Sequence, residues 1–144
     1  MVALWQAPHF VSDTPLRILI CEDDDRLAEL VSDSLESDGR FIVIGRASNG
    51  AEAIDLAERH APDVVLMDIG MPGLDGIDAT RAIRGRDSGQ HVVIYTGSDE
   101  YADVARADEA GAAGFLHKHV LTSPDLADAI QVLHTNYANA VPDP

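Results

Sequence analysis

The hydrophobic positions of this chain form short continuous runs separated by longer stretches with helical spacing. We interpret the runs as strands, and they lie at about 17–22, 41–45, 64–68, 91–96 and from Phe115 onwards. Continuous apolar runs of this length are typical of parallel strands that are buried on both faces. The pattern therefore indicates a parallel sheet rather than an antiparallel one.

The stretches between these runs predict helices. Their apolar positions recur at helical spacing, and the helices are expected at about 24–38, 50–60, 77–84, 98–110 and 123–137. Strands that alternate with helices are joined by right-handed crossovers, which place helices on both faces of the sheet. We therefore predict an α/β fold, a flavodoxin-like doubly wound (βα)5 domain with a parallel sheet in the strand order 2-1-3-4-5.

Several helix ends carry local signals. Gly39 is a stop signal for the first helix, and Asn49 with Glu52 has the pattern of an N-cap and its reciprocal acid. Ser123-Pro124-Asp125 predicts the start of the last helix, with Pro124 in its first position. One stripe of the first helix is expected to face inward, and it consists of Leu27, Leu30, Val31, Ser34 and Leu35.

Polar side chains stand where four of the predicted strands end. They are Glu22, Asp23, Asp68, Thr96 and Lys118. Strands 1 and 3 are neighbours in the predicted order, and ligands of open α/β sheets bind outside the carboxyl ends of the strands. The sequence therefore predicts three carboxylates, one hydroxyl and one ammonium at one edge of the sheet. Such a group is suited to a metal ion with a phosphate-sized anion beside it.

Composition limits the partners of the chain. The net charge is −15, from 25 acidic and 10 basic residues. Nucleic-acid binding relies on a positive patch, so we expect no nucleic-acid binding by this chain alone. No apolar run approaches the ~20 residues that cross a bilayer, and no membrane contact is expected. One domain is predicted at 16–138, between tails at 1–15 and 139–144.

Cys21 is the single cysteine of the chain and lies inside the first predicted strand. It has no intrachain disulfide partner, and we interpret it as a buried core thiol. A lone cysteine of this kind fits a reducing compartment. We therefore expect a cytoplasmic location.

The order of these motifs resembles the receiver domain of two-component response regulators. The matching segments span residues 17–138, and they are Glu22-Asp23, Asp68-Ile69-Gly70-Met71-Pro72-Gly73-Leu74-Asp75-Gly76, Thr96-Gly97, and Gly111 to Phe115 leading to Lys118. The loop and the helix after it are most similar to the nitrate-regulator branch, whose members usually carry a C-terminal helix-turn-helix domain. Such a domain is not part of this sequence.

The resemblance implies a role for each residue at the edge. Asp68 would accept a phosphoryl group from a sensor histidine kinase. Asp23, Asp68 and the Gly70 carbonyl would bind Mg²⁺ or Mn²⁺, with Glu22 acting through water. Lys118 and Thr96 would contact phosphoryl oxygens, and Phe115 would be the switching aromatic. The chain would then be a phosphoacceptor that catalyses only its own phosphorylation and slow dephosphorylation, and phosphorylation would give a weak homodimer.

Two positions depart from the family pattern. The family usually has proline after the lysine, whereas His119 follows Lys118 here. A cis peptide at this bond would cost ~3 kcal/mol without proline, so either the geometry after strand 5 differs or a strained bond is retained. Gly70 offers no side chain where other members can shield the phosphoryl group from water.

Other interpretations of single residues involve no signalling role. Phe115 can equally be a buried core aromatic. His117 and His119 flank Lys118 and are expected on one strand face, where two histidines can bind a metal, but no third ligand is evident. Asp24 and Asp25 are better candidates than Glu22 or Asp23 for capping the first helix.

Two other function classes compete with the receiver. A haloacid-dehalogenase-like phosphatase also uses an aspartate and Mg²⁺, and Asp23 and Asp25 fit half of its motif, but Leu27 stands where threonine or valine is needed. A flavodoxin needs a phosphate-binding loop after strand 1, where Glu22-Asp23-Asp24-Asp25 would repel phosphate. Within the receiver interpretation, the chain either signals alone by contact or is half of a longer DNA-binding regulator.

Overall fold

Five parallel strands form the centre of the structure, a computed structural model that describes residues 14–86, 89–97 and 101–140. The strands are β1 (Leu16–Cys21), β2 (Phe41–Ala47), β3 (Val64–Asp68), β4 (His91–Thr96) and β5 (Gly114–His117). Their order is β2-β1-β3-β4-β5, and every neighbouring pair is parallel. The predicted flavodoxin-like architecture and strand order are confirmed.

Five α-helices within the described residues cover the two faces of this sheet. They are α1 (Asp25–Asp38), α2 (Gly50–His60), α3 (Gly76–Arg86), α4 (Tyr101–Glu109) and α5 (Leu126–Ala140). The predicted start of α4 at residue 98 lies outside the described residues, as do positions 1–13 and 141–144 of the predicted tails. None of the helices in the described part of the chain is long and apolar enough to cross a membrane.

Alternate side chains of the strands build two apolar layers. Leu19 and Ile94 belong to the layer under α2, α3 and α4. Ile20 and Tyr95 belong to the layer under α1 and α5. All five residues of β3 are buried, because this strand lies at the centre of the sheet with helices on both sides. Burial on both faces explains the continuous apolar runs in the sequence.

The caps of α1 and α2 agree with the sequence signals. The Asp24 carboxylate accepts from the Leu27 backbone N–H at 3.1 Å, and Gly39 ends the helix with φ of 89°. The Asn49 side chain accepts from the Glu52 N–H at 2.8 Å. Asp24 is therefore the cap of α1, which leaves Glu22 and Asp23 available for another purpose.

The predicted inward stripe of α1 is wrong at Leu30 and Ser34. The Leu30 side chain is 58% exposed and Ser34 is also exposed, whereas Ala28, Val31 and Leu35 are buried. The buried residues Ala28, Val31 and Leu35 recur at spacings of three and four residues, so the buried stripe is centred away from Leu30. Hydrophobicity alone favoured the larger residue.

The chain around the last strand also differs from the prediction. β5 ends at His117, and residues Lys118–Thr122 form a 3₁₀ helix. His117 and His119 are therefore not on one strand face, although their Nδ1 atoms lie 2.6 Å apart. The helix α5 starts at Leu126, so Pro124 lies in the preceding turn and not in the first helical position.

Candidate functional site

Three carboxylates converge at the carboxyl edge of the sheet. Glu22 and Asp23 follow β1, and Asp68 ends β3, the neighbouring strand. One carboxylate oxygen from each of the three lies within 4.8 Å of the others. Within residues 14–86, 89–97 and 101–140, this is the one group of three acidic, histidine or cysteine ligands so close together.

Burial makes this group of acids electrostatically costly. Glu22 is 1% exposed and Asp68 is 7% exposed. Burial raises the pKa of the Asp68 carboxyl, and the charge of Asp23 raises it further, while the Gly70 amide and the Lys118 charge lower it. Burial likewise raises the pKa of Glu22. A positive charge placed among these groups would relieve both effects.

Local backbone contacts fix the position of Asp68. Its Oδ1 atom accepts from the Gly70 N–H at 3.0 Å. The first residue of α3 packs directly on its carbonyl, because a Cβ at Gly76 would lie 2.3 Å from the Asp68 oxygen. A residue without a side chain is therefore needed at Gly76 to bring α3 against the end of β3.

Glu22 is held by the residues around it. Its Oε2 atom accepts from the Asp24 N–H at 2.9 Å, and its Oε1 atom accepts from the Tyr95 hydroxyl at 2.6 Å. Arg46 on β2 donates to the Glu22 backbone carbonyl at 3.0 and 3.1 Å. Tyr95 and Arg46 were not among the predicted site residues.

Thr96 and Lys118 complete the predicted group. Thr96 is buried at the end of β4 and pairs with His117 of β5. Lys118 follows directly, and its side chain is exposed. Its positive charge lowers the pKa of both Asp68 and Glu22, although burial outweighs it in each case. The Lys118 ammonium therefore interacts electrostatically with Asp68 and Glu22. The Thr96 hydroxyl lies on β4, the strand between Asp68 and Lys118.

Phe115 is partly buried and packs against the layer under α2, α3 and α4. It lies opposite Ile94 in the register of β4 and β5. This position is that of a core aromatic at the margin of the sheet, on the same side as Ile94. Its predicted role in switching stays a prediction.

The chain after Lys118 turns without a cis bond. No peptide bond among the described residues is cis, so the chain continues from Lys118 to His119 through a trans peptide into the 3₁₀ helix. The His117 Nδ1 atom also accepts from the His119 N–H at 3.3 Å. Proline has no backbone N–H, so this hydrogen bond, which supports the turn, is possible because histidine stands at position 119.

The acidic group fits a hard divalent cation. Mg²⁺ binds oxygen ligands at about 2.0–2.1 Å, so ligands on opposite sides of the ion lie about 4 Å apart. The 4.8 Å limit on the three oxygen separations is compatible with this spacing after small side-chain movements. Glu22, Asp23 and Asp68 can therefore supply ligands, and the Gly70 carbonyl stays a predicted fourth.

Comparisons with known proteins show the family of the chain. Residues 18–131 match the response regulator receiver domain family. The chain is 34% identical to the chemotaxis protein CheY of Halobacterium salinarum, over 79% of this chain and 92% of that protein. It is 38% identical to the probable transcriptional regulatory protein NarL of Mycobacterium tuberculosis, over 72% of this chain and 48% of that protein.

A solved structure has the same fold. The signal receiver domain of NarL from Mycobacterium tuberculosis aligns with a TM-score of 0.79 and 33% identity, over 84% of this chain and 97% of that chain. The chain spans about half the length of several curated relatives that it matches, including NarL of Mycobacterium tuberculosis and NarP of Escherichia coli. The family match and the shared fold show that the chain belongs to the family of response regulator receiver domains, whose members are signalling phosphoacceptors of two-component systems.

Proposed function

We propose that Asp68 accepts a phosphoryl group from a sensor histidine kinase and that the chain then changes conformation to control an output. The observation that carries the proposal is the convergence of Asp68 with Glu22 and Asp23 beside Thr96 and Lys118. A carboxylate is ionised near neutral pH and needs no general base to act as a nucleophile. Asp68 is the acid of the group that ends a central strand and is oriented by a backbone amide.

The reaction is a displacement at phosphorus. An Asp68 carboxylate oxygen forms a bond to phosphorus while the P–N bond of the kinase phosphohistidine breaks, and the electron pair returns to the imidazole nitrogen. Lys118 pairs as a compact charge with one phosphoryl oxygen, and the Thr96 hydroxyl donates to another. Asp23, Asp68 and the Gly70 carbonyl, with Glu22 acting through water, would hold a divalent cation, which would supply positive charge beside the transferring group.

The partners follow from this chemistry. A kinase carrying phosphohistidine is the donor, and a weak homodimer of the phosphorylated chain is part of the proposal. The chain itself, with a net charge of −15, is not proposed to bind nucleic acid. The phosphorylated chain would act either by contact with a partner protein or by control of a DNA-binding domain, and the relatives that the chain matches are compatible with both. The buried free thiol of Cys21 fits a reducing cytoplasm as the place of action.

A phosphodonor experiment tests the proposed function. Incubation with acetyl phosphate and Mg²⁺ should add one phosphoryl group per chain, seen as a single mass increment that base removes and acid preserves. Chelation of the metal should prevent the addition. Steady turnover of a phosphate ester would instead support a phosphatase, and absence of any metal-dependent label would contradict the proposal.

Phosphorylation should shift an equilibrium around β4 and β5. The new charge is met by Thr96 and Lys118 only if these groups move toward it, and a ligand shifts a population only through its differential interaction with the two states. Inward movement of Thr96 would leave space for the Phe115 ring. Beryllofluoride with Mg²⁺ should therefore perturb amide signals at 96–110 and 115–119, while α2 changes little.

A Thr96→Val variant is the matched control for this switch. Valine keeps the shape of threonine but lacks the hydroxyl, so it should bind beryllofluoride at Asp68 while the signals near Phe115 stay close to their unliganded positions. Perturbations confined to residues around Asp68 in the wild-type chain would contradict the switch. The chain would then be a passive phosphoryl store.

A further inference from the structure

Tyr95 places a phenol hydroxyl inside the acidic pocket. The residue is 1% exposed, and its hydroxyl lies 2.6 Å from Glu22 Oε1 and 3.4 Å from the Cys21 carbonyl oxygen. A hydroxyl–carboxylate distance of 2.6 Å is that of a short charge-assisted hydrogen bond. The hydroxyl therefore donates to Glu22, the acid that is itself 1% exposed.

The two oxygens of Glu22 are held by different donors. Tyr95 donates to Oε1 and the Asp24 backbone N–H donates to Oε2 at 2.9 Å. A carboxylate with one donor on each oxygen cannot rotate about its terminal bond without losing a hydrogen bond. Each oxygen keeps a further lone pair, because a carboxylate has about four acceptor sites. The remaining sites are available to a cation or to its bound water.

Tyr95 and Thr96 lie on opposite sides of the sheet because consecutive strand residues alternate. The Tyr95 ring packs in the layer under α1 and α5, which includes Leu126 and Ile130. The ring is thus fixed by apolar contacts from one side, while its hydroxyl reaches the end of β1. Because the ring is fixed, the hydroxyl cannot move far, and a movement of the Glu22 side chain would break the hydrogen bond.

We propose that Tyr95 is a positioning residue of the acidic pocket, whose hydroxyl holds Glu22 in the orientation that lets the three carboxylates bind one divalent cation. This inference rests on the proposed metal site. Residues that hydrogen-bond to metal-binding side chains orient them and tune affinity. A tyrosine is well suited to orienting Glu22, because packing fixes its aromatic ring and thereby fixes the direction of its single hydroxyl donor.

Calorimetric titration with Mg²⁺ alone tests the proposal. Tyr95→Phe removes only the hydroxyl and should weaken Mg²⁺ binding about tenfold, the usual lower range for loss of such a partner. In a Glu22→Ala background, which offers the Tyr95 hydroxyl no side-chain acceptor, the same substitution should have much less effect on Mg²⁺ affinity, because it acts through Glu22. Wild-type protein should also show a tyrosine near-ultraviolet difference signal on Mg²⁺ addition, which Tyr95→Phe abolishes.

Tyr137→Phe is the matched control. The Tyr137 hydroxyl accepts from Arg84 at 2.9 Å, and its ring contacts His91 at the opposite end of β4. This variant should keep wild-type Mg²⁺ affinity and the difference signal. Wild-type protein that fails to bind Mg²⁺ would contradict the proposed function itself. Wild-type binding with unchanged affinity in a folded Tyr95→Phe protein would overturn the positioning role alone.

If Tyr95→Phe does not fold, the role is tested on the wild-type chain and on Glu22→Ala, which has no side-chain acceptor for the Tyr95 hydroxyl. The tyrosine difference signal caused by Mg²⁺ should then be present in the wild-type protein and absent in Glu22→Ala at a Mg²⁺ concentration that saturates both. A signal of equal size in the two proteins would overturn the inference, because it would arise without the Tyr95–Glu22 hydrogen bond.

Discussion

Asp68→Asn should abolish phosphoryl incorporation from acetyl phosphate. The substitution keeps the size of the side chain, and its amide oxygen can still accept from the Gly70 N–H that binds Asp68 Oδ1. An amide is not a nucleophile toward phosphorus under these conditions, so the loss should be complete rather than partial. Intact-mass spectrometry of matched incubations measures it directly, and the Asp68→Asn variant should remain folded by circular dichroism.

Asp75→Asn provides the control for this experiment. Asp75 lies on the same loop, and its Oδ1 atom accepts from the Asp78 N–H at 2.8 Å. Asparagine can make the same hydrogen bond, so the start of α3 should be preserved. The control should be labelled to the wild-type extent. Equal labelling of Asp68→Asn and the wild-type chain would show that another residue accepts the phosphoryl group.

Asp23→Asn should stabilise the metal-free protein and remove its stabilisation by Mg²⁺. The charge of Asp23 raises the pKa of the Asp68 carboxyl, which is the mark of repulsion between the two acids. Removing that charge should raise the metal-free melting temperature, by about 2–4 °C for each kcal/mol in a domain of this size. The wild-type chain should gain about 2.7 kcal/mol at a Mg²⁺ concentration of about 100 times Kd.

The neighbouring Asp24→Asn variant separates site charge from general charge. It removes the same negative charge one position further along, but asparagine caps α1 as well as aspartate does. Thermal melts with and without Mg²⁺ should show the normal metal response in Asp24→Asn and none in Asp23→Asn. A full Mg²⁺ response in Asp23→Asn would remove Asp23 from the metal site.

The sequence was most informative about the sheet edge. Glu22, Asp68 and Thr96 each follow a continuous apolar run, and parallel strands bring their carboxyl ends together. No long-range information beyond the strand order was needed to expect these side chains in one place. The structure supplies what this reasoning omits, namely burial of Glu22 and Asp68 and exposure of Lys118.

Tyr95 could have been found from one further signal. It lies within an apolar run that is buried on both faces, and a buried tyrosine hydroxyl usually finds a hydrogen-bond partner. The last residues of β4 stand beside β3, as shown by the pairing of Tyr95 with Asp68. A search for that partner would have pointed to the acids. Arg46 gave no comparable signal, because an arginine near a strand end is common on protein surfaces.

Local chemistry therefore determined the elements, the cap at Asn49, the choice of Asp24 or Asp25 for the cap of α1 and the set of candidate acids, because hydrophobic periodicity and capping act over a few residues. The strand order came from the general rules for connecting parallel strands. Tertiary packing alone decided the side-chain partnerships. The Nδ1 atoms of His91 and His134 lie 2.8 Å apart although 43 positions separate them, and Tyr95 meets Glu22 across 73 positions. Such contacts depend on how helices and strands dock, and short-range patterns do not encode that docking.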